Sequence, residues 1–292
     1  MKDLVGQFKV TKGSDFLLKD FDPAYTGNLK KEDSLEKLDD LIKETSLLQS
    51  KLYADSRYAL LVLFQAMDAA GKDGAIAHTL SGLNPQGCEV YSFKAPSNEE
   101  IEHDFLWRHF KVLPRSGHIG VHNRSHYENV LITRVHPEML LNEHLPGINN
   151  LKDIDNTFWD NRYESIRNVE KHLTNNGTVF IKIFLNLSKE KQKERFLERI
   201  DDPNKNWKFS ANDINERAYW DKYMEAYELA IQKTATPICP WYVLPADKKW
   251  FTRIAISTII LETLKGLNLK YPELPEIEKQ KLAVAKEKLV NI

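Results

Sequence analysis

A glycine-bounded turn that carries a lysine and two carboxylates is the part of this sequence best suited to chemistry. The turn reads Asp68-Ala69-Ala70-Gly71-Lys72-Asp73-Gly74. Backbone N–H groups at such a turn, together with the positive end of a following helix, bind anions, and a lysine adds a mobile positive charge. The turn is therefore interpreted as a P-loop that binds phosphate groups.

Two positions depart from the usual G-x-x-x-x-G-K-[ST] pattern, since Ala66 replaces the first glycine and Asp73 replaces the Ser/Thr. An acidic residue in a first helical turn is favoured by the helix dipole, which explains Asp73 structurally. Asp68 lies inside the loop, where phosphate oxygens would repel it unless a cation lay between them. Asp68 therefore predicts a divalent metal, and the alternative is that it caps the turn.

The elements around this loop predict an α/β fold. Leu60–Phe64 is an unbroken apolar run of strand length, and Ala75–Leu80 after the loop is typical of a helix. Further strands are predicted at residues 89–94, 117–122, 178–185 and 241–244, with helices between them. This alternation predicts a parallel five-stranded sheet with helices on both faces.

Ligands collect at the carboxyl ends of parallel strands, so Asp68, Lys94, Asn123 and Arg124 are expected along one crevice. Capping signals predict one helix from Ser97 to about residue 112 and another from about residue 210 to 234. An interruption is expected at Pro137.

The helix pair flanking residues 202–210 is basic. Its cations are Arg195, Arg199, Lys205, Lys208 and Arg217. These predict a mobile basic lid, and the alternative is an ordinary solvated charged helix.

Bulk composition restricts the function class. The 292 residues are 42% hydrophobic and 28% charged, with a net charge of −1, so any polyanion must be bound by a local basic lining. Cys88 and Cys239 form no disulfide framework or zinc ribbon, and residues 1–7 lack a signal-peptide apolar run. We expect a cytoplasmic protein that neither binds nucleic acid nor spans a membrane.

Other groups of residues give weaker evidence for a functional site. His118, His122 and His126 are four apart, which on a helix could bind zinc. Glycines and β-branched neighbours place the first two on a strand, which favours exposed or hydrogen-bonded histidines. No serine occupies a Gly-x-Ser-x-Gly elbow, and the tryptophans are more typical of packing than of base stacking.

Taken together, the motifs resemble the polyphosphate kinase 2 family over roughly residues 15 to 270. The matching segments are Gln65-Ala66-Met67-Asp68-Ala69-Ala70-Gly71-Lys72-Asp73-Gly74, Asn84-Pro85-Gln86-Gly87, Ser92-Phe93-Lys94-Ala95-Pro96-Ser97, Asp104-Phe105-Leu106-Trp107-Arg108, Asn123-Arg124-Ser125-His126-Tyr127-Glu128, Trp207-Lys208-Phe209-Ser210 and Pro245-Ala246-Asp247-Lys248-Lys249-Trp250. This combination is far more specific than a bare P-loop.

The resemblance implies a three-layer P-loop kinase fold with a helical lid. It also implies reversible, Mg²⁺-dependent phosphoryl transfer from inorganic polyphosphate to a nucleotide, with Mn²⁺ as a possible substitute. Many members of the family have an aspartate where this chain has Asn123, so a metal carboxylate is lost there, and Glu128 could replace it. The Asn/Glu version resembles the members that phosphorylate both AMP and ADP.

Each candidate residue then has a hypothetical role. Lys72 and the loop from Ala69 to Gly74 bind phosphates, Asp68 and Glu128 hold the metal, and Arg124 bridges the transferring group. The other predicted phosphate- or nucleotide-binding residues are Asp73, Lys94, Arg108, Asn123 and Arg134, with Arg195, Arg199 and Lys208 closing from the lid.

One domain spans residues 1–292 in this interpretation. It has a lead-in and helix at 1–55, a core at 56–190 and 236–268, a lid at about 191–235 and a helical tail at 269–292. The expected partners are polyphosphate, adenine nucleotides with guanine nucleotides as the alternative, and further copies of the chain in a dimer or tetramer. The rivals are an ATP-dependent P-loop nucleotide kinase, a polyphosphate kinase restricted to nucleoside diphosphates, and a non-enzymatic polyphosphate- or RNA-binding module.

Overall fold

The computed structural model describes residues 5–291, apart from the side chain of Lys208, and this part of the chain contains one sheet of six strands. The strands are β1 (Lys9–Val10), β2 (Ala59–Gln65), β3 (Cys88–Ser92), β4 (Ile119–Asn123), β5 (Thr178–Asn186) and β6 (Trp241–Pro245). The helices before β5 are α1 (Ser34–Asp55), α2 (Lys72–Leu80), α3 (Asn98–Ile101), α4 (Trp107–Phe110), α5 (Glu128–Val135) and α6 (Asn156–Asn175). Those after β5 are α7 (Lys189–Asp201), α8 (Ala211–Arg217), α9 (Trp220–Thr234), α10 (Lys249–Gly266) and α11 (Glu276–Val290).

The sheet order is β1-β6-β5-β2-β4-β3, and β2 to β6 are mutually parallel. The prediction of an α/β fold is confirmed, but the expected number of five strands was wrong. The sixth strand, β1, pairs antiparallel with β6 at one edge. Its two residues are too few for any periodicity to appear in the sequence, so it was included in the lead-in.

Strand β2 is central and all seven of its residues are buried. Leu60, Val62 and Phe64 pack on one face, in a core that α2 and α10 complete. Leu61 and Leu63 pack on the other, with side chains from α5, α6 and α9. An unbroken apolar run is therefore what this position requires, because both faces of the strand are covered.

Two predicted helices are each interrupted. The segment expected to be helical from Ser97 to about residue 112 forms α3 and α4, because the Asp104 carboxylate accepts a hydrogen bond from the Leu106 N–H at 2.9 Å and makes a turn. The segment expected from 210 to 234 forms α8 and α9. Pro137 does end a helix as predicted, since α5 stops at Val135 and a 3₁₀ helix follows.

Helix α9 lies in the core rather than in a lid. Ala226, Ala230 and Ile231 are almost fully buried against β5 and β6 side chains. The lid remains a proposal, and only α7, α8 and the segment between them are available for it. Among residues 5–291, none of the helices combines the length and apolar character needed to cross a bilayer.

Candidate active site

The predicted P-loop connects the end of β2 to the start of α2. Ala69 and Gly71 both have left-handed backbone conformations, with φ of +61° and +96°. Glycine tolerates this conformation, whereas an alanine is strained in it by roughly 1–2 kcal/mol. The Ala75 N–H then donates to the Gly71 carbonyl at 2.9 Å and begins the helix. The loop is therefore a tight turn that presents backbone to a cavity, as the glycine pattern predicted.

Lys72 lies against this loop. Its Nζ donates to the carbonyl oxygens of Ala66 at 2.8 Å and Met67 at 3.3 Å. Burial, with the nearby charge of Arg124 as a second cause, lowers the pKa of Lys72 to about 8. The lysine thus supplies a positive charge beneath the loop while its hydrogen bonds hold the loop closed on β2.

Arg124 joins the two predicted metal ligands. Its Nη2 donates to Asp68 Oδ1 at 2.6 Å and its Nη1 to Glu128 Oε2 at 3.2 Å. The charge of Glu128, followed by that of Asp68, raises the pKa of Arg124. Asp68 is therefore paired with a guanidinium in this structure, and the divalent metal at Asp68 stays a prediction.

The backbone fixes this arrangement. Arg124 has a φ of +65°, and its N–H donates to the Phe64 carbonyl at 3.0 Å, which extends the pairing of β4 with β2. Gln65 is fully buried at the end of β2. With its amide oriented to suit both neighbours, Nε2 donates to Glu128 Oε1 at 2.7 Å while its oxygen accepts from Ser125. Gln65 begins one of the segments that carry the family resemblance, but the sequence analysis gave it no role because a glutamine at a strand end indicates no chemistry by itself.

Asn123 and Asp73 each depart from an expected pattern, and the structure pairs these two side chains with each other. Asn123 Nδ2 donates to Asp73 Oδ1 at 2.8 Å. An aspartate at position 123 would place two carboxylates in contact, and such a pair repels unless a cation separates them. The amide at 123 therefore matches the carboxylate at 73 without needing a metal between them.

Arg195 was expected to close from a lid, and the structure contradicts this. It is 5% exposed, and its donors are occupied by the carbonyl oxygens of Ala69 and Ala70, at 3.0 and 2.8 Å, and of Ala246, at 2.6 Å. Gln192, one turn earlier on α7, donates to the Asp68 carbonyl at 3.0 Å. These two side chains hold the P-loop against α7 and the segment after β6, so they position the loop.

A cavity of about 640 Å³, the basic cavity, opens beside the P-loop. Its cations include Arg199 and Lys205, which the sequence predicted for the basic lid, and also Lys249 and Arg253, to which the sequence analysis gave no role. Burial lowers the pKa of both Lys249 and Arg253. The sequence feature that could have indicated Lys249 and Arg253 is their spacing of four residues directly after β6. This spacing places both side chains on one face of α10.

Carboxylates also line the basic cavity. Asp213 on α8 lies 3.6 Å from Arg199, and burial followed by the charge of Asp68 raises the pKa of Asp213. Lys208 is also predicted to bind phosphate from the lid, and its side chain lies outside the described part of the chain.

A second cavity of about 370 Å³, the mixed cavity, is also lined by Arg124. Asp68, Phe93 and Arg124 line both cavities. Glu128 and the predicted Lys94 line the mixed cavity together with apolar and aromatic side chains. The latter are Met67, Leu131, Ile132, Met139, Tyr223 and Tyr227.

Two predicted arginines have structural partners instead. Arg108 donates to Glu100 Oε2 at 3.1 Å and to the Lys94 carbonyl at 2.7 Å, so it fixes the loop after β3. Arg134 lies over the Trp159 ring and lines neither cavity. It comes six residues after Glu128, and at about 100° per residue this turns it to another side of the helix.

The donor set around Arg124 fits a Mg²⁺ ion held by two carboxylates. Asp68 and Glu128 line one cavity, and the Asp68 side chain is 34% exposed. Within residues 5–291 there is no group of three or more His, Cys, Asp or Glu side chains that could hold a metal ion. Mg²⁺ commonly uses one or two carboxylates and takes its other ligands from water and substrate phosphates, so two suffice.

Comparison with known proteins finds a matching family model, similar sequences and a similar structure. A family model described as polyphosphate kinase 2 matches residues 28–272. An ADP-polyphosphate phosphotransferase of Rhodopseudomonas palustris is 49% identical, with 100% of both chains covered. An AMP/ADP-polyphosphate phosphotransferase of Meiothermus ruber is 41% identical over 95% of this chain and 99% of the relative. A crystal structure of polyphosphate kinase 2 from Arthrobacter aurescens TC1 superposes with a TM-score of 0.84 at 41% identity, covering 94% of this chain and 95% of that one.

Proposed function

Because the chain belongs to the polyphosphate kinase 2 family, we propose that it transfers the terminal phosphoryl group of inorganic polyphosphate reversibly to AMP and ADP. The observation that carries this proposal is the position of Arg124 and Asp68, which line both the basic and the mixed cavity. A phosphoryl group passing from a donor in one cavity to an acceptor in the other meets these two side chains.

The linings of the two cavities support an assignment of substrates. Polyphosphate is a polyanion without an apolar part, and the basic cavity offers Arg199, Lys205, Lys249 and Arg253 to its phosphates. A nucleotide also has a base and a ribose, which suit the aromatic and apolar side chains of the mixed cavity. We therefore assign polyphosphate to the basic cavity and the nucleotide to the mixed cavity.

Phosphoryl transfer requires mainly alignment and charge neutralisation. The planar guanidinium of Arg124 can exchange its carboxylate partners for two oxygens of the transferring group. Lys72 adds positive charge beneath the P-loop amides. The attacking group is a nucleotide phosphate that is already anionic, so no strong general base is needed.

Asp68 and Glu128 would hold the Mg²⁺ ion, or Mn²⁺ in its place. The bound ion supplies neutralisation of the charge on the transferring phosphates. The two carboxylates that pair with Arg124 in this structure would then hold the metal, while the guanidinium binds the transferring group.

AMP as well as ADP is proposed as acceptor because Asn123 and Glu128 occupy the positions that suggested this class. The two relatives described above differ here, since one is named for ADP and the other for AMP and ADP. A cytoplasmic location and assembly into a dimer or tetramer are part of the proposal, and light scattering of the purified protein tests the assembly.

The deciding experiment supplies purified protein with Mg²⁺ and long-chain polyphosphate, and offers AMP or ADP as acceptor. We expect ADP to form from AMP and ATP to form from ADP, with neither formed when polyphosphate is omitted. Product from ATP and AMP without polyphosphate would indicate an ATP-dependent kinase, and turnover of ADP alone would restrict the acceptor. Salt-sensitive polyphosphate binding without turnover would contradict the proposal.

A further inference from the structure

Three consecutive carbonyl groups of the P-loop are bound by side chains of α7. Gln192 Nε2 donates to the carbonyl of Asp68 at 3.0 Å. Arg195 donates to the carbonyls of Ala69 and Ala70 at 3.0 and 2.8 Å. Ala69 has a φ of +61°, which is strained for a residue with a Cβ. A strained backbone persists only where its surroundings fix it, so these hydrogen bonds stabilise the loop in this conformation.

Gln192 needs a partner of its own to face the loop correctly. If its amide were turned by 180°, the amide oxygen would meet the carbonyl oxygen of Asp68, and two acceptors repel each other. Arg217 favours the observed orientation, because its Nη1 donates to Gln192 Oε1 at 2.7 Å and leaves Nε2 to face Asp68. Gln192 is 1% exposed, so these protein neighbours decide how its amide is oriented.

Arg217 belongs to α8, the short helix that borders both cavities. Asp213 on this helix lines the basic cavity, and Asn212 and Glu216 line the mixed cavity. Arg217 lines neither of these two cavities, and its Nη1 also donates to the carbonyl of Lys189 in the first turn of α7 at 2.8 Å. This predicted lid cation therefore joins α8 to α7 in the structure.

We propose that Arg217 is a positioning residue for phosphoryl transfer, which connects α8 to Asp68 through the buried amide of Gln192. The inference rests on the proposed function, in which Asp68 holds the metal ion beside the transferring group. With Arg217 in place, the amide faces the loop and the Asp68 carbonyl is bound. Without Arg217 the amide can turn, and the peptide group between Asp68 and Ala69 loses this support. The Asp68 side chain is then no longer held in the direction in which it meets Arg124.

A comparison with Arg199 distinguishes this role from a contact with substrate. Arg199 also connects α7 to α8, since it lies 3.6 Å from Asp213, but it lines the basic cavity and is open to phosphates there. Arg217 directs Nη1 at two acceptors of α7, away from both cavity linings. Arg199 is therefore suited to bind substrate, and Arg217 is suited to fix α8 and the amide of Gln192.

Hydrogen exchange followed by mass spectrometry tests this connection without any substrate. In Arg217→Met the amides of residues 66–74 should exchange about three- to tenfold faster, as the loss of one hydrogen bond predicts, with residues 178–186 of β5 unchanged. Gln192→Leu should give the same change, because it removes the connecting amide. Arg217→Lys should restore slow exchange, since both bonds come from one nitrogen atom that an ammonium group can replace.

Arg167→Met is the matched control. Arg167 is also half-buried and donates to a main-chain carbonyl of a neighbouring helix, that of Lys233 on α9, at 2.7 Å. It lines neither the basic nor the mixed cavity. This variant should leave the exchange of residues 66–74 and every kinetic constant unchanged.

A double-mutant cycle tests whether Arg217 and Gln192 act as one unit. Arg217→Met and Gln192→Leu should each lower kcat for ATP formation about tenfold and raise the Mg²⁺ concentration for half-maximal rate, as changes behind a metal ligand do. The KM for polyphosphate should stay the same, because neither side chain contacts the substrate in this proposal. The double variant should also lose about tenfold in kcat, because its second change breaks a connection that the first has already removed.

Unchanged exchange at residues 66–74 in a folded Arg217→Met protein would overturn the inference. A roughly hundredfold loss of kcat in the double variant would overturn it too, because it would show two independent roles. A raised KM for polyphosphate in Arg217→Met with unchanged exchange would make Arg217 a substrate ligand instead. The proposed function fails only if the unaltered protein forms no ATP from polyphosphate and ADP, and the exchange experiment does not depend on that activity.

Discussion

Two neighbouring residues, Tyr127 and Glu128, belong to charged clusters of opposite character. Tyr127 lies in a sealed cluster with Lys182 and Glu170 inside the core. Glu128 lies in an open cluster with Arg124 and Asp68 at the edge of two cavities. Each cluster has one cation shared by several acceptors, yet of these two clusters the second is the one that borders the basic and mixed cavities.

The difference is how completely the hydrogen bonds are used. Lys182 Nζ donates to Glu170 Oε2 at 2.7 Å, to Tyr127 Oη at 3.0 Å and to the Thr234 carbonyl at 3.0 Å, which uses all its donors. Tyr127 in turn donates to Glu170 Oε1 at 2.6 Å, and burial raises the pKa of Glu170. A buried ion pair can persist only when it is satisfied in this way.

The open cluster keeps capacity for further partners. Arg124 and Asp68 are each about one third exposed, at 32% and 34%. Incoming phosphate oxygens can therefore reach the guanidinium, and a metal can reach the carboxylate. The comparison teaches that a charged cluster with spare acceptors and donors at a cavity is a chemical site, whereas a saturated one is a structural element.

The largest effect should come from breaking the sealed cluster. Lys182→Met leaves Glu170 buried without its cation and should lower the free energy of unfolding by about 3–5 kcal/mol. Lys182→Met combined with Glu170→Leu should recover most of this loss. Urea unfolding measures both, and a double variant as unstable as the single one would show that the pair is not the cause.

Breaking the open cluster should affect catalysis and leave stability almost unchanged. Asp68→Asn removes the charge that faces the transferring group, and kcat should fall about 100- to 1,000-fold. The thermal midpoint should stay within about 2 °C, because the side chain is partly exposed. Near-normal turnover in this variant would reduce Asp68 to a cap on the turn.

Acid should lower the free energy of unfolding through three buried histidines that lie near the sealed cluster. Burial lowers the pKa of His109 to about 2, of His126 to about 3 and of His122 to about 4. The unfolded chain binds their protons from about pH 6.5 downwards and the folded chain does not. Their contribution to stability is therefore complete above pH 6.5, and each loses about 1.4 kcal/mol per pH unit below it, until its folded pKa is reached.

His109→Phe removes one of these proton sites and keeps a ring against Phe93, whose centroid lies 4.2 Å away. Between pH 6.5 and pH 5 the variant should lose about 2 kcal/mol less stability than the unaltered protein. Unfolding in urea at a series of pH values measures this. His172→Phe, at an exposed position, is the control, and an equal pH dependence in all three proteins would contradict the prediction.

The smallest effect should come from loosening the open cluster indirectly. Gln65→Leu removes the donor to Glu128, so kcat should fall about tenfold and the Mg²⁺ concentration for half-maximal rate should rise. Gln49→Leu, which removes a buried glutamine that bonds to Asn84 far from the cavities, should leave both values unchanged. If the Mg²⁺ concentration for half-maximal rate does not change in Gln65→Leu, then Gln65 does not support Glu128 in binding the metal.

Local patterns in the sequence predicted the parts of the site that lie within one short segment. The apolar run before the loop, the glycines and Lys72 identified the P-loop, because strand burial and turn geometry are properties of adjacent residues. The strand ends predicted that Asn123 and Arg124 would lie near Asp68, and they do. Gln65 and the basic pair on α10 received no role from the sequence, although Gln65 and Lys249 lie in segments that carry the family resemblance.

Only the tertiary structure decided which partner each charged side chain takes. Arg195 became a positioning residue, Arg134 packed on Trp159, and Asn123 paired with Asp73, although all three had been interpreted as phosphate ligands. The reason is physical: a sequence shows that a charge is present and on which element it lies. Whether its hydrogen bonds are spent on the protein or left for a ligand depends on atoms that meet from distant parts of the chain.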